Sequence, residues 1–445
     1  MKLHLTYRQI LAISAPIMIG SAAQNIIALC DSIFLYHVSE TDFAAIGFVG
    51  VFYLIITAIG YGFSRGGQIL VARRTGEKAY REAGKNFYAM LYLEIGLAIT
   101  FFLFIVLLSP YFLRLFVDTE SIYQKSLEYL KFRAYGVFPS FIGVALIAFY
   151  TGIARTKIIM YDTLVLISVN IFLNYSLIYG KLGMPEMGIA GAGLASTLAE
   201  VAALIVFSVY MFFDKFLRPF HLRRILKIEW DLIKNSLRIA SPIVAQAVVG
   251  LGSWFFFFGI IENMGERELA ISNLVRVVYL ILSIPCWGYS VGVNTLVSNF
   301  IGQGQGQQVM AIVKKTITIC LGSTFLLAAP VLLFPQYILY PLLGSEDMSL
   351  FVEAQPIFYI LFIILSLFAI GGIYFNGMVG TGATYAGLQI QGICAIFYVV
   401  LIYVMVNYLQ VGLVVAWTTE IFYWIPLILL VHRYIIRGSW RTLEV

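Results

Sequence analysis

The feature that most constrains this chain is the run from Ile10 to about Phe34, which is long enough to cross a bilayer yet carries a carboxylate, Asp31. A spanning helix needs roughly 20 apolar residues. An acid at membrane depth costs roughly 2.5 kcal/mol or more even on lenient insertion scales. Intramembrane acids usually face a cavity and mark an ion or proton pathway, so Asp31 points to transport. The composition agrees, at 61% hydrophobic, 12% charged and a mean hydropathy of +0.90. Soluble chains run roughly half apolar and a quarter charged.

Apolar segments fall at about 10–34, 43–70, 87–109, 127–152, 159–182, 188–213, 236–261, 269–298, 309–335, 351–376, 384–407 and 411–436. They predict an all-α integral membrane protein with twelve transmembrane helices. Arg73, Arg74, Lys78, Arg81, Lys85, Arg155, Lys157, Lys314, Lys315, Arg433, Arg437 and Arg441 fall on one side of these spans. The stretch 214–238 adds Lys215, Arg218, Arg223, Arg224, Lys227, Lys234 and Arg238, whereas the connections 35–42 and 336–350 hold no Lys or Arg. By the positive-inside rule the chain is a multi-pass protein of the cytoplasmic (inner) membrane with both termini cytoplasmic. The same rule explains the net charge of +6 without a nucleic-acid partner. Lys2 and Arg8 before the first run imitate a signal peptide, but the run is too long and no A-x-A-like site follows, so a retained first span is expected.

Cys30, Cys286, Cys320 and Cys394 all lie in apolar segments without CxxC spacing, which indicates packing rather than a disulfide framework or zinc site. His4, His37, His221 and His432 lie at segment ends and form no metal-ligand or Ser/His/Asp grouping. No catalytic residues and no cofactor are expected. The glycine clusters Gly302-Gln-Gly304-Gln-Gly306 and Gly380-Thr-Gly382 have no following Gly-Lys-Ser/Thr, so they are not phosphate loops.

A repeat crosses the long polar connection. Pro16 of I-S-A-P-I and Pro242 of I-A-S-P-I stand 226 residues apart. The same offset relates Tyr53-Leu54-Ile55 to Tyr279-Leu280-Ile281, and Gly62, Ser64, Gly66, Leu70, Val71 and Gly76 to Gly288, Ser290, Gly292, Leu296, Val297 and Gly302. Later the offset becomes 228, from Gly152 and Thr156 to Gly380 and Thr384, and then 220, from Glu200 to Glu420. The predicted organisation is two six-helix pseudo-symmetric lobes, 1–213 and 236–445, with 214–235 as a cytoplasmic linker. Even span numbers put both copies the same way up, the arrangement of transporters with parallel repeats, whose substrate sites lie near the midplane.

Departures from the repeat show what one copy does alone. Asp31 is opposite Phe257, in the run Trp254 to Phe258, and Asn170 and Asn174, one turn apart on the fifth helix, are opposite Tyr398 and Ile402. Asp31, Asn170 and Asn174 thus form a one-sided polar centre, read either as ion ligands or as interhelical packing. Glu200 and Glu420 are equivalent, which points to a shared structural job; Glu94, opposite Cys320, is a relay candidate. Arg65 and Arg276, also within spans, are expected to pair with an acid or reach an interface. Pro16 and Pro242 kink the first helix of each half, and at Pro16 a hinge and a fixed bend are both open. Gly62-x-x-x-Gly66 and Gly288-x-x-x-Gly292 have the spacing of close helix contacts.

These residues resemble the multidrug and toxic compound extrusion (MATE) transporters of bacterial type. The likeness rests on Pro16, Asn25, Asp31 and Phe34 in the first helix and on Gly152 to Lys157 entering the fifth. It rests also on N-x(3)-N-Y-x-L-I-Y-G-x-x-G-x-P-x-x-G-I-A-G-A-G-L-A-S-T from Asn170 to Thr197. The second lobe adds I-A-S-P-I, M-G-E-R-E-L-A and the G-Q-G at 302–304. The resemblance implies efflux of organic, often cationic and aromatic compounds in exchange for Na⁺ or H⁺. It also implies a cation site of Asp31, Asn170 and a sixth-helix hydroxyl, Ser196 with Thr197 adjacent. The second acid of many relatives falls on Asn174, a departure that leaves one carboxylate.

The expected function is therefore antiport by alternating access in a monomer, with a small organic substrate, lipid around it and Asp31 as the coupling group. Two rivals are a flippase for a lipid-linked oligosaccharide, which would want a strongly basic cavity, and a membrane-embedded lipid-modifying enzyme, which would want an interfacial acidic or His cluster. For the first only Arg65 and Arg276 are candidates, and the second feature is not seen in the sequence.

Overall fold

The computed structural model describes residues 3, 5–222, 227–334 and 348–443, and the side chains at 23–25, 28, 332, 333, 348 and 351 lie outside that description. His4, Arg223, Arg224, the Asn25 side chain and residues 336–347 of the Lys/Arg-free connection therefore fall outside the described residues. The described chain is helical throughout, without strands. Its long helices are α1 (Tyr7–Tyr36), α2 (Glu40–Gly76), α3 (Tyr80–Leu103), α4 (Glu120–Gly152), α5 (Lys157–Ile178), α6 (Gly188–Phe213) and α7 (Trp230–Glu262). There follow α8 (Glu266–Leu282), α9 (Ile284–Gly302), α10 (Val309–Leu333), α11 (Met348–Gly380), α12 (Thr384–Asn407) and α13 (Thr419–Arg437).

Ten described helices are long and apolar enough to cross a membrane, and α8 with α9 makes an eleventh span broken by 45°. The 30 residues of α1 supply the twelfth, at about 45 Å for a rise of roughly 1.5 Å per residue. Three irregularities interrupt the expected straight spans, one of them at Thr418, which separates a short helix Leu413–Trp417 from α13. Ser283 separates α8 from α9, where Pro285 at the start of α9 can donate no backbone hydrogen bond. The third span passes from α3 through a π-turn at Phe104–Leu108 into Ser109–Arg114. Helices also outrun their apolar segments. Thus α2 extends 37 residues to Gly76, carrying Arg73 and Arg74 in its last turn, and begins with the Ser39 hydroxyl accepting from the Asp42 amide at 3.0 Å.

Two compact units emerge, Ile19–Ser241 and Met1–Met18 with Pro242–Val445. The chain thus passes from one unit to the other within α1, two residues past Pro16, and within α7 at Pro242. The glycine pairs explain the exchange. In the first unit a Cβ on Gly66 of α2 would lie 2.5 Å from the Cβ of Ala240, in the early part of α7. In the second unit a Cβ on Gly292 of α9 would lie 2.2 Å from the hydroxyl of Ser14, in the early part of α1. Gly66 and Gly292, like Ser14 and Ala240, are 226 apart, so these are one contact made twice.

Within the first unit the segment after α6 is packed down rather than loose. Its short helix Lys215–Phe220 buries Leu217 and Phe220, with Phe220 against Tyr80 and Phe149 at 5.2 and 5.6 Å between ring centres. Tyr88 donates to the Leu222 carbonyl at 2.7 Å, and Arg155 pairs with Asp214 at 3.0 Å. In the second unit the thiols of Cys286 and Cys320 approach to 3.9 Å.

Because the Gly66 contact is with backbone as well as side chain, at 2.8 Å from the Ala240 Cα, Gly66→Ala cannot be absorbed by a rotamer change. It is expected to destabilise the detergent-solubilised protein by about 1–3 kcal/mol. Gly96→Ala in α3, with no atom within 4 Å of the added carbon, is expected to be neutral or stabilising by up to about 1 kcal/mol. Thermal unfolding of the two variants checks the contrast, and equal midpoints would overturn it.

Candidate ion-coupling site

Asp31 lies near the end of α1, where the helix is tied to α5: the Tyr179 hydroxyl donates to the Phe34 carbonyl at 2.8 Å, and the two rings lie 5.9 Å apart. A third helix, α6, closes the site because two glycines allow backbone contact. A Cβ on Gly191 would stand 2.7 Å from the Leu177 carbonyl oxygen of α5, and one on Gly193 2.6 Å from the Tyr129 carbonyl oxygen of α4. The motif G-I-A-G-A-G-L-A-S-T is thus a packing device that delivers its last residues to the site.

The result is a closed polar cluster. Asn174 donates its amide to Asp31 Oδ1 and, at 3.1 Å, to Asn170 Oδ1. Asn170 donates to Asp31 Oδ1 at 3.3 Å and to Ser196 Oγ at 3.0 Å, and the Ser196 hydroxyl donates to Asp31 Oδ2 at 3.0 Å. Asn170 and Asn174 are wholly buried, and Asp31 is 5% exposed. Every hydrogen-bond donor to Asp31 among the described residues is neutral. The sequence-predicted group Asp31, Asn170, Asn174 and Ser196 is therefore assembled, while the Thr197 hydroxyl turns away to the Phe132 carbonyl of α4 at 3.2 Å.

Three other acids of the spans have bonding partners of their own. Glu94 of α3, fully buried, accepts from the Ser64 hydroxyl of α2 at 2.7 Å. Glu200, one turn beyond Ser196 on α6, takes both terminal nitrogens of Arg133 at 2.7 and 2.6 Å. Glu420 of α13 accepts from Trp254 Nε1 at 3.0 Å and from the Tyr398 hydroxyl at 2.8 Å. The two equivalent acids thus have different partners. Arg276 stacks over Phe258 at 5.1 Å.

Sequence reading passed over Arg133, which is only 7% exposed. Lying near the start of an apolar segment, a basic residue reads as interfacial. The available signal was the repeat, since α4 and α11 match end to end at the 228 offset and Arg133 has only Leu361 opposite.

The second half builds the corresponding place from rings. Phe257, Tyr398 and Trp417 stand opposite Asp31, Asn170 and Thr197 at the offsets 226, 228 and 220. Phe257 stacks on Tyr398 at 6.1 Å and meets Trp417 edge-on at 5.1 Å, all three being buried. One scaffold position is polar in one unit and aromatic in the other.

A family model, MatE, matches residues 16–176 and again 242–404. The two matches start 226 residues apart and end 228 apart, the offsets of the internal repeat. Among curated proteins, a probable multidrug resistance protein NorM of Thermotoga maritima is 25% identical over 416 residues, covering 92% of this chain and 88% of that protein. A crystal structure of MATE in complex with MaL6 shares the fold at a TM-score of 0.86, with 20% identity over 97% of this chain and 95% of that one. A MOP superfamily transporter of Pyrococcus furiosus, whose reversed binding-pocket polarity is taken to suggest a different function, also reaches 0.86 at 20% identity, over 98% and 96%. With the model matched in both halves, and the fold shared along nearly the whole length, the chain belongs to the MatE family of membrane transporters, and it is not an enzyme.

Proposed function

We propose that the chain is a secondary antiporter of the bacterial inner membrane that expels organic, cationic or aromatic compounds in exchange for inward Na⁺ or H⁺, coupled at Asp31. The observation that carries this reading is the bonding of Asp31: among the described residues this buried carboxylate is held only by neutral amides and a hydroxyl, with no counter-charge in contact with it. A cation arriving at that cluster offsets the cost of the buried charge. The cluster is also chemically suited to such a visitor, being built of carboxylate, amide and hydroxyl oxygens, the set that favours hard cations and protons. The Asn174 carbonyl oxygen is buried and accepts no hydrogen bond from the described residues, which leaves it as a ligand or proton neighbour. The multidrug name borne by the Thermotoga maritima relative supports the cargo class.

One carboxylate takes one monovalent ion, and this limits the drive. A tenfold ion gradient is worth about 1.4 kcal/mol, and each charge moved adds about 2.3 kcal/mol per 100 mV. Exchange of one cation for a monocationic drug cancels the electrical part, so cationic cargo is concentrated by the ion gradient alone and neutral aromatic cargo by both. In the cycle, drug and ion favour different states of one two-state protein. Pro16 and Pro242 stand where the chain passes between its units, and we assign Pro16 the hinge that transmits the state of Asp31 along α1. Lobes 1–213 and 236–445 joined by 214–235, a monomer and cytoplasmic termini complete the reading.

Efflux of a fluorescent organic cation from energised vesicles tests it. Asp31→Asn is expected to remove the dependence on the Na⁺ or H⁺ gradient and at least about tenfold of the transport rate, the loss of a step worth about 1.4 kcal/mol. Undiminished gradient-driven efflux by Asp31→Asn would sink the coupling role, and parent transport indifferent to both gradients would sink antiport itself. Pro16→Ala is expected to slow turnover several-fold with little change in drug affinity, read from equilibrium binding to the purified protein; an unaltered rate would refute the hinge.

A further inference from the structure

We propose that Arg133 is a positioning residue for the Asp31 site, and that Glu200 holds its guanidinium off Asp31 so that the coupling ion alone neutralises that carboxylate. The proposal rests on the coupling role given to Asp31 above and adds a device that sets how tightly the ion is held.

The geometry places the pair beside the cluster. Ser196, which donates to Asp31, and Glu200 are one turn apart on one face of α6. Both terminal nitrogens of Arg133 are spent on the two oxygens of Glu200, a bidentate pairing, and the guanidinium carbon lies 4.0 Å above the Tyr53 ring. The place is shaped for it: a Cβ on Gly136 would stand 2.3 Å from an Arg133 terminal nitrogen, 2.8 Å from the Thr197 hydroxyl and 3.1 Å from Glu200 Oε2. Arg133 is within electrostatic reach of Asp31, and so is Tyr129, one turn earlier on α4. The titratable and charged groups facing this region are Tyr53 and Tyr61 of α2, Tyr129 and Arg133 of α4, Glu200 of α6 and Cys30 beside Asp31 on α1, with Asp162 of α5 acting on Tyr61; the α5 residues at the cluster, Asn170 and Asn174, carry no charge.

The second half of the molecule is an internal control. It keeps the acid, as Glu420, but satisfies it with the neutral donors Trp254 and Tyr398. It has Phe257 in place of Asp31 and Leu361 in place of Arg133. A carboxylate at this scaffold position therefore needs no arginine. The arginine occurs only where the second carboxylate does, which ties it to Asp31 rather than to the packing of α6.

Charge counting then gives a signature that a merely structural pair would not produce. With Arg133 and Glu200 both ionised the site carries the single negative charge of Asp31 and takes one monovalent cation. Glu200→Gln frees the guanidinium to pair with Asp31, leaving no net charge. Arg133→Met leaves two negative charges, and the double variant restores one.

The experiment measures the Na⁺ concentration, or the pH, that half-activates efflux in vesicles, using whichever ion drives the parent. Glu200→Gln is expected to need about tenfold more coupling ion, the effect of placing one charge near another at short range. Arg133→Met is expected to need less ion than the parent, and the double variant to return to within about threefold of it, since a charge term restored is a free energy restored. Glu200→Asp, which keeps the charge, should stay close to the parent. If Glu200→Gln fails to insert, the ranking of Arg133→Met below the double variant decides. The proposal is overturned if the double variant is as impaired as Glu200→Gln, or if the single variants shift the midpoint the same way or not at all. Asp31→Asn in the same assay separates the two readings. Parent-like ion activation in Asp31→Asn removes the coupling role itself, whereas its loss alongside unshifted Glu200 and Arg133 variants removes only the present proposal.

Discussion

A carboxylate held by neutral donors inside an apolar bundle is the constraint on which the first half of this molecule depends. Such a group is tolerated only when its oxygens are bonded from several directions. Asp31 is reached from α5 by two amides and from α6 by a hydroxyl. Short side chains such as Asn and Ser can do this only if the helix backbones lie close, and closeness is what Gly191 and Gly193 provide on the two sides of α6. The polar centre and the glycine pattern are thus one design: without the close helix packing the donors would not reach.

The same scaffold carries a different filling in the second half. There the equivalent place is a stack of Phe257, Tyr398 and Trp417, and the conserved geometry lies instead in the paired contacts Gly66 with Ala240 and Gly292 with Ser14. Backbone packing is independent of what fills the centre, so one lobe can be stabilised by ring contacts while the other holds a charge.

Electrostatics link the polar residues that the fold leaves near one another. Glu200 and Glu420 share a place in the repeat, yet one is bound by a guanidinium and the other by an indole and a phenol. The difference follows the sequence, in which Asp31 has Phe257 and Arg133 has Leu361 as counterparts in the second half. A buried ion pair contributes little net stability over apolar packing. Its presence in α4 and α6 is better understood through the charge it leaves at the centre than through any contribution to folding.

Sequence alone was enough for the twelve spans, the two-fold repeat and the one-sided character of the polar centre, because hydropathy and register are local or periodic properties. Asp31, Asn170, Asn174 and Ser196 were legible in that way, three of them as expensive polar residues in apolar runs and the fourth through the family resemblance. What only the tertiary structure decided was pairing. It turned Thr197 toward the Phe132 carbonyl, gave Glu200 to Arg133 and Glu420 to Trp254 and Tyr398, and put the ends of α1 and α7 into the opposite units. The physical reason is that a polar side chain in a helix has several neighbours within reach, and which one it meets depends on how closely the backbones approach. That distance is set by glycines on other helices, far away in the chain, and no local pattern reports it.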